Sequence, residues 1–163
     1  MIRLVAQELE QLAVQAVVRA SDAVLAPLGP VSLTLDRCGG ERLARELRTQ
    51  VPLEVGSAVV TGAGDLAAEF LLHLIVQDSE RPVTSSTLRR ALVSAWHRAE
   101  AWQLGTVAAD PAGLLLLPEE AANLVVETFR EQSTRGFPTE LYLAVSDSEL
   151  RGRLGATVGN HQP

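Results

Sequence analysis

The sequence predicts a single α/β domain, and three observations carry that prediction. Short apolar runs alternate with longer segments of helical period, as strands and helices do when they take turns along a chain. Of 163 residues 47% are hydrophobic and 21% charged, enough apolar mass for one core without disulfides or metals. No internal repeat, long linker or compositional break divides the chain.

Residues 2–5 and 16–19 read as strands, joined by a polar connection around 8–11. Segments 31–38 and 41–50 read as helices separated at Gly39-Gly40. Two further strands, 57–61 and 70–76, are parted by a Gly62-Ala63-Gly64-Asp65 break. Residues 84–104 form the clearest helix, with Leu88, Ala91, Leu92, Ala95, Ala99 and Trp102 along one face. On that reading Trp102 belongs to the core, and Trp96 covers a neighbouring loop or a partner surface. Gly105 stands where a left-handed C-terminal cap is expected. Residues 106–109 read as a buried strand. Pro118 opens another helix, with Glu119 and Glu120 near its positive end. A last strand at 140–145 and a short helix at 147–154 close the domain, which is placed at residues 1–154. Residues 155–163 are expected to form a flexible C-terminal tail.

Composition excludes several chemistries. All 14 basic residues are arginine, so no Walker-type lysine, Schiff-base lysine or lysine general base exists in this sequence. That absence, with only two asparagines and abundant Ala, Leu, Val, Arg and Gly, reads as the coding bias of a GC-rich genome. A net charge of −6 argues against general nucleic-acid binding, and Arg42, Arg45, Arg48, Arg89 and Arg90 read as solvated helix faces. Cys38 is the only cysteine, and His73, His97 and His161 lack metal-ligand spacing, so no disulfide within the chain, metal or cofactor is expected. The start lacks the apolar core of a signal peptide. The longest uncharged stretch, 23–35, is too short to span a bilayer and is broken by Pro27 and Pro30. The cytoplasm is the expected location.

Several stretches resemble the macro domain family over roughly residues 2–154. The opening IRLVAQELEQLAVQAVV at residues 2–18 is similar to V-x-G-D-I-T-x-L-x-V-D-A-I-V. Gly29-Pro30-Val31-Ser32, followed by Leu35-Asp36-Arg37-Cys38-Gly39-Gly40, resembles the G-G-V-D-x-A-I-x-x-A-A-G loop and helix. The best agreement is GSAVVTGAGDL at residues 56–66 with Phe70-Leu71-Leu72-His73, similar to G-x-A-x-x-T-x-G-x-L and a strand ending V-I-H. The resemblance implies a three-layer α/β/α fold with a mixed central sheet, and ADP-ribose or a related nucleotide bound at the carboxyl ends of the strands.

Carried over residue by residue, the resemblance implies a ligand set of Glu8, Leu9, Asp22, Gly29, Val31, Gly113 and Leu114. Glu8 stands where the family has an Asp that accepts the adenine amino group. Gly29 and Val31 fall in the first phosphate loop, but Pro27 and Pro30 remove N–H donors there and Leu28 adds bulk. Gly113 and Leu114 fall in the second loop, which lacks the usual Ser-Thr pair and carries Asp110. A phosphate cradle needs successive open N–H groups, so both loops predict weakened pyrophosphate binding. Arg19-Ala20-Ser21-Asp22 replaces the family's N-A-A-N, and Ser32 replaces an acidic residue. Asp22 is the one weak candidate for a general base, and no catalytic residue is assigned.

Two alternatives accompany the binding module: a non-binding domain kept for protein contacts, including a homodimer, and an ADP-ribosyl hydrolase of altered mechanism. The run Leu114-Leu115-Leu116-Leu117 is expected to plug the cleft or extend the preceding strand rather than serve a partner. His73, inside an apolar strand, reads as a hydrogen-bonded core histidine, and Gly62-Ala63-Gly64 as a turn rather than a dinucleotide fingerprint.

Overall fold

The computed structural model describes residues 1–48, 52–78, 81–132 and 136–160. Strands β1 (Ile2–Val5), β2 (Ala16–Asp22), β3 (Ala58–Gly62), β4 (Phe70–Gln77), β5 (Thr106–Ala109) and β6 (Glu140–Ala144) form one sheet. Its order is β1-β6-β5-β2-β4-β3. The first five in that order run parallel, and β3 alone lies antiparallel, against β4. Helices α1 (Gly29–Glu46), α2 (Ser85–Ala101), α3 (Pro118–Gln132) and α4 (Ser148–Asn160) complete the three-layer mixed α/β/α fold.

The sheet is covered on both faces, as parallel strands require. On one face Val18, Ala20, Leu72 and Leu74 meet the buried stripes of α2 and α3. On the other, Val17, Leu71 and Ala108 meet Leu35 and Leu43 of α1 and Leu9 of a 3-10 turn, Leu9–Gln11. Consecutive residues of β2 therefore serve opposite cores, and from Ala16 to Ala20 the strand is apolar apart from Arg19. The long α1 contains the break expected at Gly39-Gly40. Gly40 adopts φ 66° and ψ −161°, and the Asp65 N–H reaches the Gly39 carbonyl at 3.0 Å.

Three expectations are corrected. Trp96 is fully buried, whereas Trp102 is 53% exposed. The helix stops at Ala101, so Trp102 leaves the face its spacing assigns and rests edge-on against Phe70, with ring centroids 5.5 Å apart. Trp96 is buried because α2 packs on α3 as well as on the sheet, which widens its apolar stripe. Its indole N–H donates to Thr128 at 2.8 Å, and its ring meets Phe129 edge-on. Secondly, Gln103, not Gly105, takes the left-handed position after α2, with φ 54°. Gly105 instead allows close approach of Gln15, whose Oε1 accepts its N–H at 2.6 Å. Thirdly, the segment expected to fray from Gly155 continues as helix to Asn160, and Val158 joins the main core. Residues 161–163 of that expected tail, and the end of the helix expected at 41–50, lie outside the described residues.

Candidate functional site

Five parallel strands bring their carboxyl ends to one edge of the sheet, where ligands of open α/β sheets bind. The loops after β1, β2 and β5 meet there. Between them lies a cavity of about 150 Å³ lined by Glu8, Glu10, Pro30, Val31, Thr34 and Asp110. Glu8 and Val31, predicted from distant parts of the sequence, are thus brought together. Burial pushes the Asp110 carboxyl up; the nearby Glu8 and Glu10 charges act the same way, against a hydrogen bond from the Ala112 N–H. The lining holds three carboxylates and no cation.

The loop after β2, expected to be the first phosphate loop, folds back on itself. The Asp22 Oδ1 accepts the N–H groups of Val24 and Ala26, both at 2.9 Å, and the Leu25 N–H donates to the Asp22 carbonyl. The Leu28 N–H donates to the Ala20 carbonyl, and Pro27 has none to offer. Asp22 therefore holds a turn, and the cavity it lines, about 250 Å³ with Ala23, Val24, Pro52 and Asp78, is a different one from that of Glu8. The Ser32 hydroxyl is spent on the Ala20 carbonyl at 2.7 Å.

The second loop packs directly on the first. A methyl built on Gly113 would lie 2.6 Å from Val31 Cβ, and one built on Gly29 would lie 3.2 Å from Leu115 Cδ2. Both glycines let the two loops touch. The β5 strand ends at Ala109 and a 3-10 turn, Pro111–Gly113, follows, so the leucine run does not extend the strand. Leu114 is buried, Leu115 sits on Gly29 with φ 65°, Leu116 is half-buried and Leu117 is 74% exposed. The side chain of Leu9 is also buried in the α1-side core, which leaves only its backbone near the cleft.

Known proteins agree with this architecture. A model of the macro domain family matches residues 18–122. The chain belongs to the macro domain family. This macro domain is 27% identical over 149 residues to an uncharacterized protein of Mycobacterium tuberculosis, covering 88% of the chain and 41% of that relative. It thus spans about two-fifths of the length of the first curated relatives it matches. An uncharacterized Aquifex aeolicus protein is 31% identical over 107 residues, 63% of this chain and 65% of its own. In structure it resembles the macro domain of ganglioside induced differentiation associated protein 2, with TM-score 0.82, 23% identity and coverage of 99% and 84% of the two chains. It also resembles a Trypanosoma brucei macrodomain in complex with ADP-ribose, with TM-score 0.81, 21% identity and coverage of 97% and 69%.

Sequence reasoning missed the group that anchors the first loop of this macro domain. Arg19 points from β2 toward α1, fully buried. It forms a two-pronged ion pair with Asp36, Nε to Oδ1 at 2.7 Å and Nη2 to Oδ2 at 2.9 Å. The same Nη2 donates to the Leu25 carbonyl at 2.9 Å, pinning the loop. Its Nη1 donates to His73 Nδ1 at 3.2 Å. A guanidinium only donates, so Nδ1 accepts and the proton sits on Nε2, which donates to Thr61 Oγ1 at 2.7 Å. The Thr61 hydroxyl in turn donates to the Gly62 carbonyl at 2.9 Å. Burial, aided by the Arg19 charge, lowers the His73 pKa to about 3. His73 is thus the hydrogen-bonded core histidine its strand predicted. The available signal was an arginine inside an apolar strand with an aspartate on the helix that covers it.

A larger cavity, about 700 Å³, lies beside the ends of β2 and β4 and contains none of the predicted residues. Arg81 and Arg90 line it, but so do Glu54 and Asp78, and the Arg90 guanidinium already donates to the Val55 carbonyl. Its charges balance, so it carries no preference for an anion.

Proposed function

We propose that this macro domain is a binding module for ADP-ribose or a related nucleotide, anchored at the adenine end and weakened at the pyrophosphate. The observation that carries this reading is Glu8 on the wall of the cavity at the carboxyl ends of the strands. A carboxylate there accepts hydrogen bonds from an exocyclic amino group. Structures of this fold include the Trypanosoma brucei complex with ADP-ribose and an Oceanobacillus iheyensis macrodomain with ADP. Calorimetric titration with ADP-ribose, AMP and adenosine should give saturable binding at millimolar ligand or tighter, weakened in Glu8→Gln. No heat and no thermal shift from any of the three would sink it.

A second reading, a domain kept for protein contacts, is favoured by the contact of Leu115 with Gly29 and by the exposed Leu117. Concentration-dependent self-association, or a partner lost on Leu117→Ser, would support it. A hydrolytic role for Asp22 receives no such support, since the turn it holds already takes two N–H bonds on one carboxylate oxygen.

A further inference from the structure

We propose that Leu115, seated on Gly29, makes the closed loop pair a filter of size and charge. The cleft then takes an uncharged, amino-bearing purine nucleoside in preference to its phosphorylated forms. The inference rests on the adenine-end reading of Glu8 and adds a selectivity that reverses what an open phosphate cradle would give.

Backbone accounting is the first support. Anion cradles work through N–H groups left free by the fold. In the first loop the N–H groups of Val24, Leu25, Ala26 and Leu28 are all taken by Asp22 or Ala20, and Pro27 has none. In the second, Ala112 and Gly113 donate to Asp110, and Pro111 has none. The N–H groups of Val24, Leu25, Ala26, Leu28, Ala112 and Gly113 are thus spent within their own loops.

Space gives the second support. Sites for drug-sized ligands occupy roughly 300–1,000 Å³. The cavity beside Glu8 is about 150 Å³, room for a ring system and not for a whole dinucleotide-like molecule. Val31, on its wall, meets Gly113, and next to Pro30 on the same wall Gly29 meets Leu115.

Charge gives the third. Glu8, Glu10 and Asp110 present acceptors only, which suits amino and ring N–H donors and repels phosphate. Among the described residues no group of His, Cys, Asp and Glu side chains is arranged to hold a metal ion.

The test is titration of the full chain with adenosine, AMP, ADP and ADP-ribose at constant ionic strength. Affinity should fall in that order from adenosine to ADP, with adenosine about tenfold or more tighter than ADP. Leu115→Gly removes the plug and places glycine at a left-handed position, so it should fold and narrow the gap between adenosine and ADP-ribose by roughly tenfold. ADP-ribose binding as tightly as adenosine would overturn the filter while leaving the adenine-end reading intact. A folded Leu115→Gly with an unchanged ratio would remove Leu115 from the selectivity. Failure of all four ligands would remove both readings.

Discussion

Replacing His73 with glutamine should abolish a specific part of the acid sensitivity of this domain. In the native fold the imidazole is buried and neutral between Arg19 and Thr61, with its pKa lowered from 6.5 to about 3. In the unfolded chain it protonates near 6.5. Between those two values the unfolded state binds a proton that the native state refuses, so stability rises with pH there and is lost on acidification. At 1.36 kcal/mol per pH unit the whole window amounts to about 5 kcal/mol, a large share of a typical domain's stability. Glutamine offers an oxygen to accept from Arg19 and an amide N–H to donate to Thr61, without titrating. His73→Gln should cost about 1–2 kcal/mol at pH 7.5 through imperfect packing. Urea unfolding followed by circular dichroism, repeated between pH 7.5 and 4.5, measures both proteins. The native protein should lose about 2 kcal/mol more than the variant between pH 6.5 and 4.5, so the curves converge and cross. Parallel curves, or a nuclear magnetic resonance titration placing His73 near 6.5, would refute the reasoning.

Two further substitutions test the packing. Asp36→Asn leaves the buried Arg19 guanidinium without its counter-charge and should cost roughly 3 kcal/mol, the low end for broken buried pairs because Asp36 is 20% exposed; a loss under about 1 kcal/mol in urea unfolding would argue that Arg19 is satisfied without it. Trp96→Ala should cost about 3–5 kcal/mol, whereas Trp102→Ala, which loses one edge contact with Phe70, should cost about 1 kcal/mol or less; the opposite ranking by thermal unfolding would contradict the placement of the two rings.

The candidate site was legible through the family resemblance, residue by residue. Glu8 and Val31 could be named because the resemblance to the macro domain family carries their positions over, and the fold brings the loop after β1 and the first turn of α1 to one edge. Asp22 and Leu9 could be named but not interpreted. One carboxylate oxygen of Asp22 accepts two N–H bonds that hold its own turn, and the Leu9 side chain points into the core. Asp110 was identified as a local obstacle to phosphate. Its pairing in space with Glu8 and Glu10, and the upward push on its carboxyl, depend on chain segments about a hundred residues apart.

Periodicity and glycine placement by themselves determined the α/β class, nearly every element and the break at Gly39-Gly40. These are local properties: strand and helix periods, caps and turns act within a few residues. Only the tertiary structure decided which tryptophan is buried, because that depends on α3 packing beside α2. Only it joined Arg19 to Asp36 and His73, since a buried charge is tolerable once its partners arrive from another helix and strand. It also decided the state of the cleft. The leucine run announced surplus apolar surface, but whether that surface extends a strand, meets a partner or closes a loop is settled by the neighbour it finds, and for Leu115 that neighbour is Gly29.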